Sequence, residues 1–146
     1  MYRKEFLKTC SYGCLALLGG SALLESCAGT KYLQVPLEGE FLTVPIDAFA
    51  YTNKGNQDFR KYIVIHNHQM QYPICIYRFS EAEYAALLMK CTHQGTELQV
   101  FGDRLQCPAH GSEFTNTGAV QNGPADSPLR TFPVHIESNV IKISLK

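Results

Sequence analysis

The sequence has no tryptophan, no surplus of charge of either sign and no apolar run long enough to cross a bilayer comfortably. Its 146 residues carry 13 Lys and Arg against 13 Asp and Glu, so the formal net charge is zero. Because phosphate binding depends on a surplus of cationic side chains, we expect no nucleic-acid partner. The length and the 45% hydrophobic content suit one globular domain of ordinary composition.

Disulfide-forming cysteines are also scarce in most of the chain. Six cysteines are present, but only Cys75, Cys91 and Cys107 follow residue 30. Three cysteines cannot form a fully paired disulfide framework, so thiol ligation of a metal fits this part of the chain better.

Residues 1–30 have the layout of an export segment. Three basic residues lie among the first eight, and an apolar run of about 15 residues follows to Leu24, which is short of the ~20 that span a bilayer. Residues 3–8 resemble a twin-arginine export motif with Lys as the second basic residue, and residues 24–27 resemble a lipoprotein cleavage box. We therefore expect export to the periplasmic face of a bacterial membrane, with attachment through a lipid on Cys27. The alternatives are an uncleaved anchor and an ordinary signal peptide.

Residues 31–146 are expected to form one all-β domain. Short β-rich runs between turn signals dominate, and no long stretch shows helical periodicity. The pattern predicts three hairpins, which pair residues 62–65 with 74–77, 98–101 with 104–106, and 132–136 with 140–145. Residues 81–89 are ambiguous between a strand and a helical turn, and residues 53–58 are interpreted as a polar loop.

Two short segments each place a cysteine and a histidine in one loop. Cys91 and His93 are separated by one residue, and Cys107 and His110 by two. The predicted hairpin between these segments can bring the two loops face to face, so that two thiolates and two imidazoles converge. Such a donor set can hold several metals, structural zinc among them. However, zinc fingers usually pair two cysteines on one arm and two histidines on the other, whereas both arms here are mixed.

These two loops, together with Gly123-Pro124-Ala125, resemble the Rieske iron–sulfur family, and the resemblance extends from about Lys61 to the end of the chain. It implies an antiparallel β-sandwich with a small cluster-binding subdomain at about residues 90–127, which holds a [2Fe–2S] cluster. In that family two cysteines bind one iron, and two histidines bind the other through the ring nitrogen nearer the backbone. The ligands implied here are Cys91, His93, Cys107 and His110. Residues 123–125 are expected to cover the cluster.

The sequence departs from the high-potential members of the family in two places. Those members carry an extra cysteine in each ligand loop, and the two form a disulfide, whereas Thr96 and Ala109 occupy these positions here. They also carry a tyrosine where Phe114 stands. Ser112 can still donate its hydroxyl proton to a bridging sulfide. Because one hydrogen-bond donor is missing, we expect a potential below that of members with both groups, within the class range of roughly −150 to +300 mV.

The resemblance implies one-electron transfer, with exposed imidazoles that couple the electron to a proton. The first functional hypothesis is the iron–sulfur subunit of a membrane quinol-oxidising complex, with a cytochrome b-type or other redox partner protein and quinol as the reductant. The alternative is an exported Rieske ferredoxin-like carrier or small subunit of a periplasmic oxidoreductase. A structural zinc module without a redox role is the third. No nucleophile motif is present, so we predict no catalytic residue and expect oxidoreductase activity only within a complex.

The remaining candidate residues have plainer interpretations. His66 and His68 form a His-x-His pair, which would share one face of a strand and could bind metal, but polar residues near a hairpin turn are the preferred interpretation. Cys75 lies between two isoleucines and is expected to be a small buried side chain. His135 alternates with apolar residues in a predicted strand, so its side chain is expected to face outward.

Overall fold

Short strands make up nearly all the regular structure of the part of the chain that the structure, a computed structural model, describes: residues 32–146. The strands are β1 (Leu33–Gln34), β2 (Leu37–Glu38), β3 (Phe41–Pro45), β4 (Ala50–Asn53), β5 (Asn56–Phe59), β6 (Tyr62–His66), β7 (Ile74–Arg78), β8 (Tyr84–Leu88), β9 (Gln99–Phe101), β10 (Arg104–Gln106), β11 (Glu113–Thr115), β12 (Val120–Asn122), β13 (Thr131–Phe132), β14 (Val134–Glu137) and β15 (Val140–Ser144). A 3₁₀ helix spans Ile46–Phe49. The expected export segment, residues 1–30, lies outside the described residues.

The strands form three larger sheets and one ribbon. A central sheet has the order β1-β6-β7-β8-β13, a flanking sheet the order β14-β15-β3-β2, and a loop-bearing sheet the order β12-β11-β10-β9. The ribbon pairs β4 with β5. Apart from the parallel pair of β1 with β6, the pairings in these sheets are antiparallel. The all-β prediction is therefore confirmed. Within residues 32–146, no helix has the length and apolar character needed to traverse a membrane.

The central sheet is buried on both faces. Along β6, Ile63 and Ile65 point into a core shared with the flanking sheet, whereas Val64 points into a second core shared with the loop-bearing sheet. Because alternate side chains of a strand face opposite sides, a strand covered on both sides needs apolar residues at consecutive positions. This explains the unbroken apolar runs of β6 and β7. The domain thus has three layers, and the second core includes Cys91 and Cys107.

The three predicted hairpins are present. β6 pairs with β7, β9 with β10, and β14 with β15, all antiparallel. The last hairpin is shorter than predicted, since Pro133 separates β13 from β14 and β13 pairs with β8 instead. A proline has no amide hydrogen for the ladder, which is why the run from residue 132 is divided between two sheets.

The ambiguous segment at residues 81–89 contains a strand, β8. It pairs with β7 on one side and with β13 on the other. Ala86 and Leu87 are both buried, and they belong to the two different cores. Packing in the central sheet therefore overrides the helical preference of this alanine- and leucine-rich run.

The prediction of a polar loop at residues 53–58 is wrong. These residues form the end of β4, a two-residue turn and most of β5. The turn residues Lys54 and Gly55 have positive φ angles of 49° and 84°, as a tight hairpin of this length requires. The ribbon is largely exposed, so it needs no apolar alternation, and this explains why its polar sequence gave no strand signal.

Candidate cluster-binding site

Two loops at the ends of antiparallel pairs carry the cysteine–histidine motifs. They are residues 91–96, the first ligand loop, and residues 107–112, the second ligand loop. A pairing of Lys90 with Glu97 closes the first loop, and a pairing of Gln106 with Glu113 closes the second. Each loop therefore has six residues, and each begins with its cysteine.

The two loops share one pattern of backbone hydrogen bonds. In each, the cysteine amide donates to the carbonyl of the sixth residue, at 2.8 Å in both loops. The amide of the fifth residue donates back to the cysteine carbonyl, at 2.8 Å in the first loop and 3.0 Å in the second. This fifth residue is Gly95 or Gly111, with φ angles of 76° and 77°. Glycine adopts such angles without the steric cost that a side chain adds, so the spacing from cysteine to glycine sets the shape of both loops.

The four donors are arranged as an inner pair and an outer pair. The side chains of Cys91 and Cys107 are 1% and 2% exposed and contact each other. The imidazoles of His93 and His110 are exposed, with ring centroids 5.1 Å apart and planes at 85°. The structure thus brings the two thiols together in the interior and the two imidazoles together at the surface.

The surroundings of Cys107 favour a negatively charged sulfur. Burial by itself raises the pKa of this thiol, but backbone amides of Ala109 and His110 donate hydrogen bonds to the sulfur. The side chains of Cys91 and Thr96 act in the same direction, and together these groups hold the pKa below its usual value. A thiolate is the form that ligates a metal, so this end of the site suits a ligand cysteine.

A third loop, residues 123–127, contacts the second ligand loop through Ser112. The Ser112 side chain is fully buried, and its hydroxyl oxygen accepts a hydrogen bond from the Ala125 amide at 3.0 Å. Since the oxygen is the acceptor there, the hydroxyl proton remains available for a second acceptor. Phe114 is also fully buried and offers no polar group.

Two side chains that sequence reasoning missed hold the first ligand loop. The Tyr72 hydroxyl donates to the Gly95 carbonyl at 2.7 Å, and the Thr92 hydroxyl donates to the Ser127 carbonyl at 2.7 Å. Thr92 lies inside the recognised motif, but its partner is 35 positions away. Tyr72 lies between β6 and β7, and nothing in its local sequence signals the contact.

The chemistry of the donor set fits a two-iron cluster. A structural zinc ion takes four donors around one point, at about 2.0–2.3 Å from the metal. A [2Fe–2S] centre can instead take two thiolates on one iron and two imidazoles on the other. The division into a buried thiol pair and an exposed imidazole pair suits such a centre.

The other candidate residues do not join this site. The His66 ring contacts the Met70 carbonyl at 3.1 Å, and His68 is exposed beyond the end of β6. Cys75 is fully buried, as predicted, and burial raises the pKa of its thiol far above the usual value. His135 is exposed on β14, also as predicted.

Comparison with known proteins agrees with this geometry. The family described as the Rieske [2Fe-2S] domain matches residues 51–133. The chain is 35% identical over 60 residues to the cytochrome b6-f complex iron-sulfur subunit 2 of Nostoc sp., which covers 40% of this chain and 34% of that protein. It is 35% identical over 57 residues to the cytochrome b6-f complex iron-sulfur subunit of Chlorobaculum tepidum, covering 38% and 32%. The chain therefore spans about a third of the length of these curated relatives.

Comparison with solved structures also identifies a protein with a similar fold. The crystal structure of the cyanobacterial plasma membrane Rieske protein PetC3 from Synechocystis superposes with a TM-score of 0.51 at 25% sequence identity. The match covers 57% of this chain and 86% of that one. The fold is thus shared, over more than half of this chain, with a protein of this type.

Proposed function

The chain belongs to the Rieske [2Fe–2S] family, and from that premise we propose which of its side chains bind the cluster. The proposed ligands are Cys91, His93, Cys107 and His110, with the cysteines on the inner iron and the histidines on the outer iron. When bound, such a cluster accepts and releases one electron at a time. The observation that supports this assignment is the division of the donors into a buried thiol pair and an exposed imidazole pair.

The surrounding groups of the chain have separate tasks in electron transfer. The amides that donate to the Cys107 sulfur stabilise negative charge at the buried end of the site. The Ser112 hydroxyl accepts a hydrogen bond from the Ala125 amide, so its own hydrogen can be donated to a bridging sulfide with the same effect. At the other end, the exposed imidazoles can carry a proton on the ring nitrogen that is not used for ligation, so that a proton can accompany the electron.

For the physiological role, we propose the iron–sulfur subunit of a membrane quinol-oxidising complex that contains a cytochrome b. The curated relatives are iron–sulfur subunits of cytochrome b6-f complexes, and PetC3 is a plasma membrane Rieske protein. The proposed organisation is an export and attachment segment at residues 1–30, then the cluster-binding domain at the periplasmic face. Attachment is through lipid on Cys27 or through an uncleaved anchor.

The second candidate function is an exported Rieske ferredoxin-like carrier. It is favoured by Thr96 and Ala109, which leave the ligand loops without a disulfide. Within residues 32–146, the three cysteines are all free thiols. A carrier with a lower potential would deliver electrons to a periplasmic oxidoreductase rather than accept them from quinol.

The ligand assignment is tested by metal analysis. We expect purified protein to be coloured and to contain two irons and two sulfides per chain. Substitution of any one of the four proposed ligands by alanine should abolish the binding of iron and sulfide. Colourless protein that contains zinc and no iron would refute the assignment.

The partner is tested by affinity capture from membranes. Recovery of a cytochrome b supports the complex, whereas recovery of a soluble oxidoreductase supports the carrier.

A further inference from the structure

The first ligand loop is hydrogen-bonded to two segments that lie far from it along the chain. Tyr72, between β6 and β7, donates to the Gly95 carbonyl, and Thr92 donates to a carbonyl of the 123–127 loop. We propose that Tyr72 and Thr92 are positioning residues that keep the first ligand loop closed and so slow the loss of the cluster. The part of this proposal that concerns the cluster rests on the ligand assignment made above.

Tyr72 supports the loop from the side of the central sheet. Its side chain is half-buried, and the Lys90 ammonium lies over its ring, 5.4 Å from the centroid. A Cβ atom at Gly95 would lie 3.6 Å from the Tyr72 hydroxyl and 3.4 Å from Lys90 Cε. Even a methyl group at Gly95 would thus contact Tyr72 and Lys90, so both side chains lie close to this part of the loop, in addition to the hydrogen bond.

Thr92 links the first ligand loop to the second through the 123–127 loop. Its bond to the Ser127 carbonyl is 2.7 Å, and the same loop donates its Ala125 amide to Ser112 in the second ligand loop at 3.0 Å. One short segment therefore bonds to both ligand loops. In residues 32–146 no disulfide joins the two loops, so these hydrogen bonds supplement the direct contacts of the Cys107 sulfur with the side chains of Cys91 and Thr96.

The energy of these bonds predicts the size of the effect. A hydrogen bond in a protein contributes a net ~0.5–1.5 kcal/mol, which corresponds to about a 2- to 10-fold change in an opening equilibrium. Cys91 and His93 both lie on the loop that would open. A larger open fraction of the loop would expose amides that are otherwise protected and would give a chelator more access to the iron.

The experiment compares matched substitutions in the full chain loaded with iron. Tyr72→Phe and Thr92→Val each remove a hydroxyl and keep the shape of the side chain. Tyr51→Phe and Thr52→Val make the same chemical changes on the exposed ribbon, where the Tyr51 hydroxyl donates to Asp58 at 2.9 Å. Hydrogen exchange is measured by mass spectrometry on peptides of the two ligand loops and of the central sheet. The half-time of visible absorbance is measured under excess chelator.

We expect amide exchange in residues 91–96 to rise about 2- to 10-fold in Tyr72→Phe and in Thr92→Val, with no change in β6 and β7. The half-time of the visible absorbance under chelator should also fall in these two variants. Thr92→Ser and both ribbon variants should behave like the parent protein. Unchanged exchange in residues 91–96 would overturn the proposal, as would an equal rise in every segment, which indicates a general loss of stability. Exchange can be read whether or not iron is bound, so colourless parent protein would refute the ligand assignment separately.

Discussion

The two ligand loops have nearly the same backbone but are held in place by different parts of the molecule. Both have six residues, the same two internal hydrogen bonds and a glycine of positive φ at the fifth position. The first loop is bonded by the side chains of Tyr72 and Thr92 to other segments. The second has Pro108 at the position of Thr92 and is bonded through the buried Ser112 instead. The shape of a ligand loop is thus a local property, whereas its attachment depends on the tertiary fold.

The largest expected effect tests whether the cysteine thiols that begin the two ligand loops are equally necessary for iron binding. Cys91→Ser and Cys107→Ser should each abolish iron binding, because either change leaves the inner iron with one thiolate. Iron and acid-labile sulfide are assayed after purification. Cys75→Ala is the matched control and should keep full iron content, since Cys75 shares the core of Cys91 and Cys107 but lies on β7 and is not a proposed ligand. Normal iron in either serine variant would contradict the proposed ligand set.

The next prediction compares how much the attachment of each ligand loop contributes to the free energy of unfolding. Ser112→Ala leaves the buried Ala125 amide without an acceptor, so it should cost about 1–3 kcal/mol of unfolding free energy. Thr92→Val removes an exposed bond and should cost less, about 0.5–1.5 kcal/mol. Urea denaturation monitored by circular dichroism measures both values. A larger loss in Thr92→Val than in Ser112→Ala would show that the exposed attachment is the stronger one.

A third prediction tests the equivalence of the loop backbones. Gly95→Ala and Gly111→Ala should each destabilise the fold by about 1–2 kcal/mol, because both residues have left-handed φ angles. A new Cβ has no neighbour within 4 Å at Gly111, and its nearest neighbour at Gly95 lies at an ordinary 3.4 Å. The two costs should therefore agree in the same denaturation assay. A clearly larger cost at Gly95 would mean that contact with Tyr72 and Lys90, and not φ alone, requires the glycine.

The smallest effect concerns the residue two positions after the second ligand loop. Phe114→Tyr should raise the reduction potential, because it adds a hydroxyl donor in the core that contains both cysteines. The rise should be on the order of 59 mV, the one-electron equivalent of ~1.4 kcal/mol. Protein-film voltammetry measures it, with Phe101→Tyr as a control, since Phe101 is 50% exposed. An unchanged or lower potential would count against hydrogen bonding as the cause of the difference between family members.

The parts of the molecule that could be predicted are those in which one short segment determines the outcome. The β6–β7 hairpin follows from two apolar runs around a polar turn, and the ligand loops follow from the spacing of cysteine, histidine and glycine. The β4–β5 ribbon was missed because an exposed hairpin does not require apolar residues at alternate positions. The burial of both faces of the central sheet depends on the two other sheets that cover it, and the sequence of β6 and β7 does not indicate which segments those are.

The attachments of the first ligand loop could not be predicted for a different reason. The bond from Tyr72 to Gly95 spans 23 positions, and that from Thr92 to Ser127 spans 35. Each uses a backbone carbonyl as the acceptor, and any residue type provides such a carbonyl. No residue identity at Gly95 or Ser127 therefore marks the partner, and the contacts depend on how the central sheet meets the loops.

The position of Cys75 gives the protein a built-in reporter. Its thiol is fully buried in a core strand and is held in the protonated, unreactive form, whereas Cys91 and Cys107 are protected by the iron that they are proposed to bind. When iron is lost and the ligand loops open locally, an alkylating reagent should modify Cys91 and Cys107, which are buried only while these loops are closed, and should leave Cys75 in its core strand untouched. Peptide mapping of all three sites would thus distinguish a demetallated protein from a denatured one in a single sample.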